Sequence, residues 1–142
     1  MEFVEVSSRA ELQSLEAELV RERASPGSKV EICDLGASGL EARYVVARDG
    51  DVIAGAATIV EASSELHKLY VRPDYRKAGL GAKLADQALL FARDNGFAEL
   101  NIEMSGDSEA FWDRWVGDRP FEYHGERKFS VTLDCGASPS PA

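Results

Sequence analysis

Residues 65–96, ELHKLYVRPDYRKAGLGAKLADQALLFARDNG, read as a strand, a loop and a helix in that order. Leu66, Leu69, Tyr70 and Val71 make a short apolar run rich in strand formers, and Arg72-Pro73-Asp74 stops it because proline has no N–H to give to a ladder. Beyond the loop, Leu80, Leu84, Ala88 and Phe91 recur at helical spacing, with Ala85, Leu89 and Ala92 widening the apolar stripe. Asn95-Gly96 is a helix stop, and Arg93 lies in the last turn, where a cation suits the helix dipole.

The connecting loop, Arg76-Lys77-Ala78-Gly79-Leu80-Gly81, brings two glycines to the first turn of that helix. Glycine lets a backbone approach a ligand closely, and a first helical turn leaves its N–H groups without partners. Those amides, the aligned dipole and the charges of Arg76 and Lys77 suit an anion, above all a phosphate. A Walker loop is excluded because no Gly-Lys-Ser/Thr follows, and a dinucleotide fingerprint because the glycine spacing differs. Gly-x-Gly by itself is equally a plain turn, so the weight rests on the whole strand, proline, loop and helix.

Val71-x-Pro73-x-Tyr75-Arg76-x-x-Gly79-x-Gly81, followed by an amphipathic helix, resembles the acyl-CoA-binding motif of the GCN5-related N-acetyltransferase (GNAT) superfamily, Gln/Arg-x-x-Gly-x-Gly/Ala. The resemblance implies that Arg76, Lys77, Gly79, Gly81 and Ala82 cradle the pyrophosphate of coenzyme A. It implies that Val71 ends the strand that pairs with the pantetheine arm, and that a backbone amide between Leu69 and Val71 polarises the thioester carbonyl. Acetyl-CoA is then the acyl-donor substrate, with no metal. The resemblance covers most of the chain, but only this segment is highly specific.

Working outward, residues 2–7 alternate as a first strand, and Ser7 or Ser8 is placed to cap a helix over 9–23 with Leu12, Leu15, Leu19 and Val20 as its stripe. Ser25-Pro26-Gly27-Ser28 ends that helix. Residues 29–40 are the least legible: Val30 and Ile32 alternate like a strand, Gly36 to Gly39 form a loop, and the segment is a candidate lid over the acceptor. Strands over 42–48 and 52–60 join through Asp49-Gly50, a strong hairpin signal, and Gly55-Ala56-Ala57 keeps the second slim enough for another backbone or a ligand to come near. After the central helix come a strand over 97–104, a short helix over 109–116 capped by Asp107 or Ser108, and two strands over 121–134 broken at His124-Gly125. This order matches the GNAT fold: an α+β domain with a mixed, mostly antiparallel sheet of six to seven strands, one splayed parallel pair, and three to four flanking helices. Residues 1–134 are expected to form one acetyltransferase domain, with 135–142 a disordered tail that has nothing apolar to bury.

Composition narrows the partners. A chain of 142 residues, 44% hydrophobic, buries one core. A formal charge of −9 argues against non-specific binding to nucleic acid or to an anionic membrane, and makes a cationic acceptor electrostatically easier. Cys33 and Cys135 are far apart and lack metal-ligand spacing, so a reducing, cytoplasmic setting is expected. Neither a signal peptide nor a membrane span is legible. The expected partner is a small-molecule or peptide amine, and a homodimer is left open.

Acetyl transfer to an amine needs a deprotonated nucleophile, a donor to the carbonyl and a proton for the departing thiolate. The resemblance points to Glu65, six residues before Val71, as general base. His67, two residues on, shares its strand face unless a bulge intervenes, and is a second candidate. Many members of the superfamily carry a Phe-Tyr pair on the late helix whose hydroxyl meets the sulfur; here the matching pair is Phe111-Trp112, and an indole N–H does not give up its proton. Tyr123, Ser108 or water is left to substitute, and core packing is the competing reading of Trp112 and Trp115. The asparagine that usually precedes this helix is also missing, with Ser105 or Asp107 in its neighbourhood. The reading is an acyl-CoA-dependent N-acetyltransferase acting directly through a ternary complex. The alternative, favoured by the missing tyrosine, is a weak or inactive acyl-CoA-binding sensor or partner domain.

Overall fold

The computed structural model describes residues 1–37, 39–105 and 108–133. Seven strands form one sheet: β1 (Glu2–Val6), β2 (Arg43–Asp49), β3 (Val52–Val60), β4 (Glu65–Val71), β5 (Glu99–Glu103), β6 (Phe121–Gly125) and β7 (Lys128–Thr132). They lie in the order β1-β2-β3-β4-β5-β7-β6. Only β4 and β5 pair in parallel; every other neighbouring pair is antiparallel. The helices are α1 (Gln13–Arg23), α2 (Leu80–Asp94) and α3 (Glu109–Val116).

The sheet separates two apolar cores, and this explains the composition of β3. On one face Leu80, Leu84, Ala88 and Phe91 of α2 pack with Ala57 and Ile59 of β3, Leu66 of β4, and Trp112 and Trp115 of α3. On the other, Leu12, Leu15 and Leu19 meet Tyr44, Val46, Ala56 and Tyr70. Covered on both faces, β3 is buried from Ile53 to Val60 and reads as a continuous apolar run rather than an alternating one. A Cβ on its Gly55 would stand 2.9 Å from Leu84 Cδ1 and 2.9 Å from the Tyr70 carbonyl, so it is α2, not a ligand, that uses the slim strand.

Several local expectations are corrected. The first helix opens as a 3-10 turn, Arg9–Leu12, and Ser8 makes no side-chain cap. Val20 points to solvent instead of joining the stripe, and Leu35 from the following segment takes the fourth place in that core. Val30 and Ile32 form no strand; they pack, half-buried, on the same core in irregular backbone. Residues 34–36 are firmly held: Leu35 N–H donates to Glu16 at 2.7 Å, the Leu35 carbonyl accepts from the fully buried Thr58 hydroxyl at 2.6 Å, and Lys68 donates to Asp34 at 2.9 Å. Ser108 precedes α3 but its hydroxyl donates to the Ser105 carbonyl at 2.6 Å rather than capping. Asp107, Cys135 and the expected tail over 135–142 lie outside the described residues. Among the described residues no helix is long and apolar enough to cross a membrane.

Candidate active site

The parallel pair at the centre of the sheet is very short. Glu65 registers with Asn101 and Leu66 with Ile102, and there the pairing ends. Asn101 pins this junction: its N–H donates to the Ser64 carbonyl at 2.8 Å and its side-chain amide to the Ser63 carbonyl at 3.0 Å. Beyond Leu66 the two strands part, and one edge of β4 is left without a sheet neighbour. Arg72 N–H turns the other way, to Ala54 on β3 at 2.8 Å. Because strand groups alternate sides, the backbones of Leu69 and Val71 face the open edge.

A cavity of about 590 Å³ occupies this wedge. Its walls include His67, Leu69 and Val71 of β4, Ile102 and Glu103 of β5, Gly79, Gly81 and Ala82 at the start of α2, and Phe111, Trp112 and Trp115 of α3. Of the cofactor-binding residues implicated from the sequence, all but Lys77 line this cavity. Gly79 sits at φ +74°, the left-handed conformation that an L side chain rarely adopts, with open space where a Cβ would be. No side chain caps α2, and the amides of a first helical turn have no acceptor within the helix. Gly81 is constrained differently: a Cβ there would lie 3.2 Å from the Phe111 ring.

Arg76 departs from expectation. Its guanidinium lines the cavity but is not a free charge at the mouth: two nitrogens donate to Glu22 at 2.6 and 2.7 Å, and Nε donates to the Val71 carbonyl at 2.9 Å. It also stacks over Tyr70, 5.5 Å from the ring centre, and the Tyr70 hydroxyl donates to Glu22 at 2.7 Å. The Arg76 hydrogen bonds hold the Glu22 carboxyl below its usual range, against the opposing effect of burial. Burial first, and then the bond to Glu22, raise the Tyr70 phenol above its usual range, so it stays neutral. Glu22 was not legible as a site residue, yet it carried a signal. It is an acid in the last turn of a helix, the wrong end for the dipole, and needs another partner. The Lys77 side chain lies outside the described residues.

The chemistry-bearing side chains also sort themselves. Between Thr58 and Ile59 the β3–β4 register shifts, so that Lys68 and Leu66 find partners and His67 is passed over as a bulge. Glu65 does not line the cavity; His67 does. The two touch nonetheless: Glu65 Oε2 is 3.2 Å from His67 Nδ1, while Glu65 Oε1 accepts from Ser63 at 3.1 Å. Ser108 lines the cavity, whereas Tyr123 lies on the edge strand β6, largely exposed, its hydroxyl accepting from Arg127 N–H. Trp112 belongs to core and cavity at once, with ring centres 4.8 Å from Phe111 and 5.4 Å from Trp115. Trp115 donates its indole N–H to Asp86 at 2.9 Å.

A smaller cavity of about 250 Å³ adjoins the first, the two sharing Leu69, Val71, Arg76, Ser105 and Ser108. It is walled by Glu22 and by residues 29–32 of the segment that the sequence marked as a lid candidate. Among the described residues no cluster of His, Cys, Asp or Glu is arranged to hold a metal ion.

Residues 9–117 match the model of the acetyltransferase (GNAT) family. No curated protein matches the sequence. Among solved structures, GCN5 of Tetrahymena superposes with a TM-score of 0.65 at 11% identity, covering 96% of this chain and 99% of that one. A ribosomal-protein-alanine N-acetyltransferase from Brucella melitensis gives 0.65 at 17% identity, covering 94% and 100%. The E. coli protein YhhK, solved bound to coenzyme A, gives 0.61 at 16% identity, covering 93% and 98%. At these identities the likeness is one of fold.

Proposed function

The chain belongs to the GNAT acetyltransferase family, and on that premise we propose that it transfers acetyl from acetyl-CoA directly to a primary amine within a ternary complex. The observation that carries the proposal is the wedge between β4 and β5 leading to the uncapped start of α2. An extended pantetheine-like arm finds the open edge of β4 at Leu69 and Val71, where Arg76 already occupies the Val71 carbonyl, and a pyrophosphate finds amides beside Gly79, Gly81 and Ala82. Arg76 acts here as a support for the strand end through the Val71 carbonyl, its charge balanced by Glu22. YhhK, with coenzyme A bound, supports an acyl-CoA ligand for this fold.

The acceptor enters from the α1 side, through the smaller cavity beneath residues 29–32, and reaches the donor where the two cavities meet at Leu69 and Val71. Removal of the amine proton falls to the Glu65–His67 pair at the β4 bulge. A small molecule or a peptide terminus both satisfy this reading. The test is calorimetric titration of the protein with acetyl-CoA, followed by thiol release across a panel of amines. Binding with release by any amine supports the transferase. Binding without release favours a sensor that kept the donor site, a reading to which the buried Trp112, with no proton to give, lends weight. Absence of binding refutes both.

A further inference from the structure

We propose that His67 alone carries the proton through the whole transfer, taking it from the attacking amine and returning it to the departing thiolate, while Glu65 is a positioning residue that never touches substrate. The inference rests on the transferase reading and assigns a step that this reading leaves without a donor.

Elimination within the cavity carries the first part. Trp112 lines the cavity and offers only an indole N–H. Arg76 is bound to Glu22, and it and Arg114 have guanidinium groups that do not deprotonate in proteins. Lys68 is bound to Asp34 at 2.9 Å. Ser108 already gives its hydroxyl proton to the Ser105 carbonyl. Glu103, across the wedge on β5, is solvent-exposed. His67 is left, a wall residue whose neutral imidazole has one nitrogen that donates and one that accepts a proton.

Its setting carries the second part. The bulge at His67 frees it from the regular alternation of β4, and the carboxylate of Glu65 lies on Nδ1. A carboxylate there selects the tautomer with hydrogen on Nδ1, which leaves Nε2 as the acceptor. Ser63 holds the other Glu65 oxygen, so the carboxylate is itself oriented. Glu65 lies on the imidazole itself, and among the described residues the other charged groups that line the cavity are Glu103 of β5, Arg114 of α3, and Lys68 and Arg76, which are paired with Asp34 and Glu22.

The step balances with no further reactant. The lone pair of a neutral amine forms the N–C bond at the thioester carbonyl, and the π pair moves to oxygen. Nε2 takes the proton from that nitrogen. The oxyanion pair returns, the C–S bond breaks with its electrons on sulfur, and the Nε2–H proton passes to the thiolate. Amide and free thiol result, and His67 is neutral again.

The chain has two histidines, and His124 Nε2 is held 2.9 Å from the Ser130 hydroxyl, which makes a direct test possible. The full-length protein is treated with diethyl pyrocarbonate with and without saturating coenzyme A, and carbethoxylation at each histidine is read by mass spectrometry. Protection of His67 and not of His124 is expected. Nitrogen-detected NMR of the imidazoles should find His67 in the Nδ1–H tautomer, with that population reduced in Glu65→Gln. With the amine giving the fastest thiol release, His67→Gln should lower kcat about 100-fold or more. KM for acetyl-CoA should hold, and His124→Gln should behave as wild type. If coenzyme A binds by calorimetry yet leaves His67 modification undiminished, this inference is overturned and the transferase reading survives. If coenzyme A does not bind, both fall.

Discussion

Replacing Glu22 by Gln and Arg76 by Gln, singly and together, tests the contact that most changes the picture of the proposed donor site. Glu22 ties the C-terminal end of α1 to the strand-to-helix loop through two bonds from Arg76 at 2.6 and 2.7 Å, with the Tyr70 hydroxyl on the same carboxylate. Hydrogen bonds to charged groups contribute about 1.5–3 kcal/mol, and a bidentate Arg–carboxylate pair lies among the stronger kinds. The Arg76 side chain is 41% exposed against 20% for Glu22, so solvent screening moves the expected coupling to about 1–2 kcal/mol. At 142 residues each kcal/mol corresponds to roughly 3–4 °C in Tm. Glu22→Gln should therefore melt about 3–8 °C below the parent. Because the Glu22 carboxyl is held below its usual range when folded, this stabilisation is full above the unfolded carboxylate pKa of about 4.3 and disappears as pH falls through the lower folded value. Thermal denaturation of the four proteins at pH 7 gives the coupling from the double-mutant cycle. A value below about 0.5 kcal/mol, or a cycle unaffected by moving to pH 3, would refute the assignment of Glu22 as the group that holds Arg76.

Gly79→Ala should cost about 1–2 kcal/mol through its left-handed backbone alone, since nothing stands where the new Cβ goes, whereas Gly79→Glu should abolish the calorimetric signal of acetyl-CoA by placing bulk and negative charge beside the α2 amides. Gly55→Ala should destabilise by about 1–3 kcal/mol in urea denaturation, because the added methyl meets the Tyr70 carbonyl as well as Leu84. Asp86→Ala should lower stability by about 1–3 kcal/mol and alter tryptophan fluorescence, since it leaves the N–H of the buried Trp115 unpaired and releases Arg119; an unchanged emission spectrum would contradict the 2.9 Å bond.

Much of this protein was legible because its decisive signals are local. The stop at Pro73, the glycines at 79 and 81, and the apolar period of Leu80, Leu84, Ala88 and Phe91 each act through a few neighbouring residues, and they placed β4, the turn after it and α2 as they occur. Cavity walls at Leu69, Val71, Gly79, Gly81 and Ala82 follow from that segment alone. Local pattern failed where a distant partner decides. Val30 and Ile32 alternate, but Glu16, Thr58 and Lys68 hold the following backbone in an irregular path. Arg76 carries a full charge in the sequence, and only the return of α1 across the sheet lays Glu22 against it. Glu65 and His67 were separate candidates two residues apart. Whether they faced the same way depended on a bulge set by β3, and the register between strands is a property of the assembled sheet.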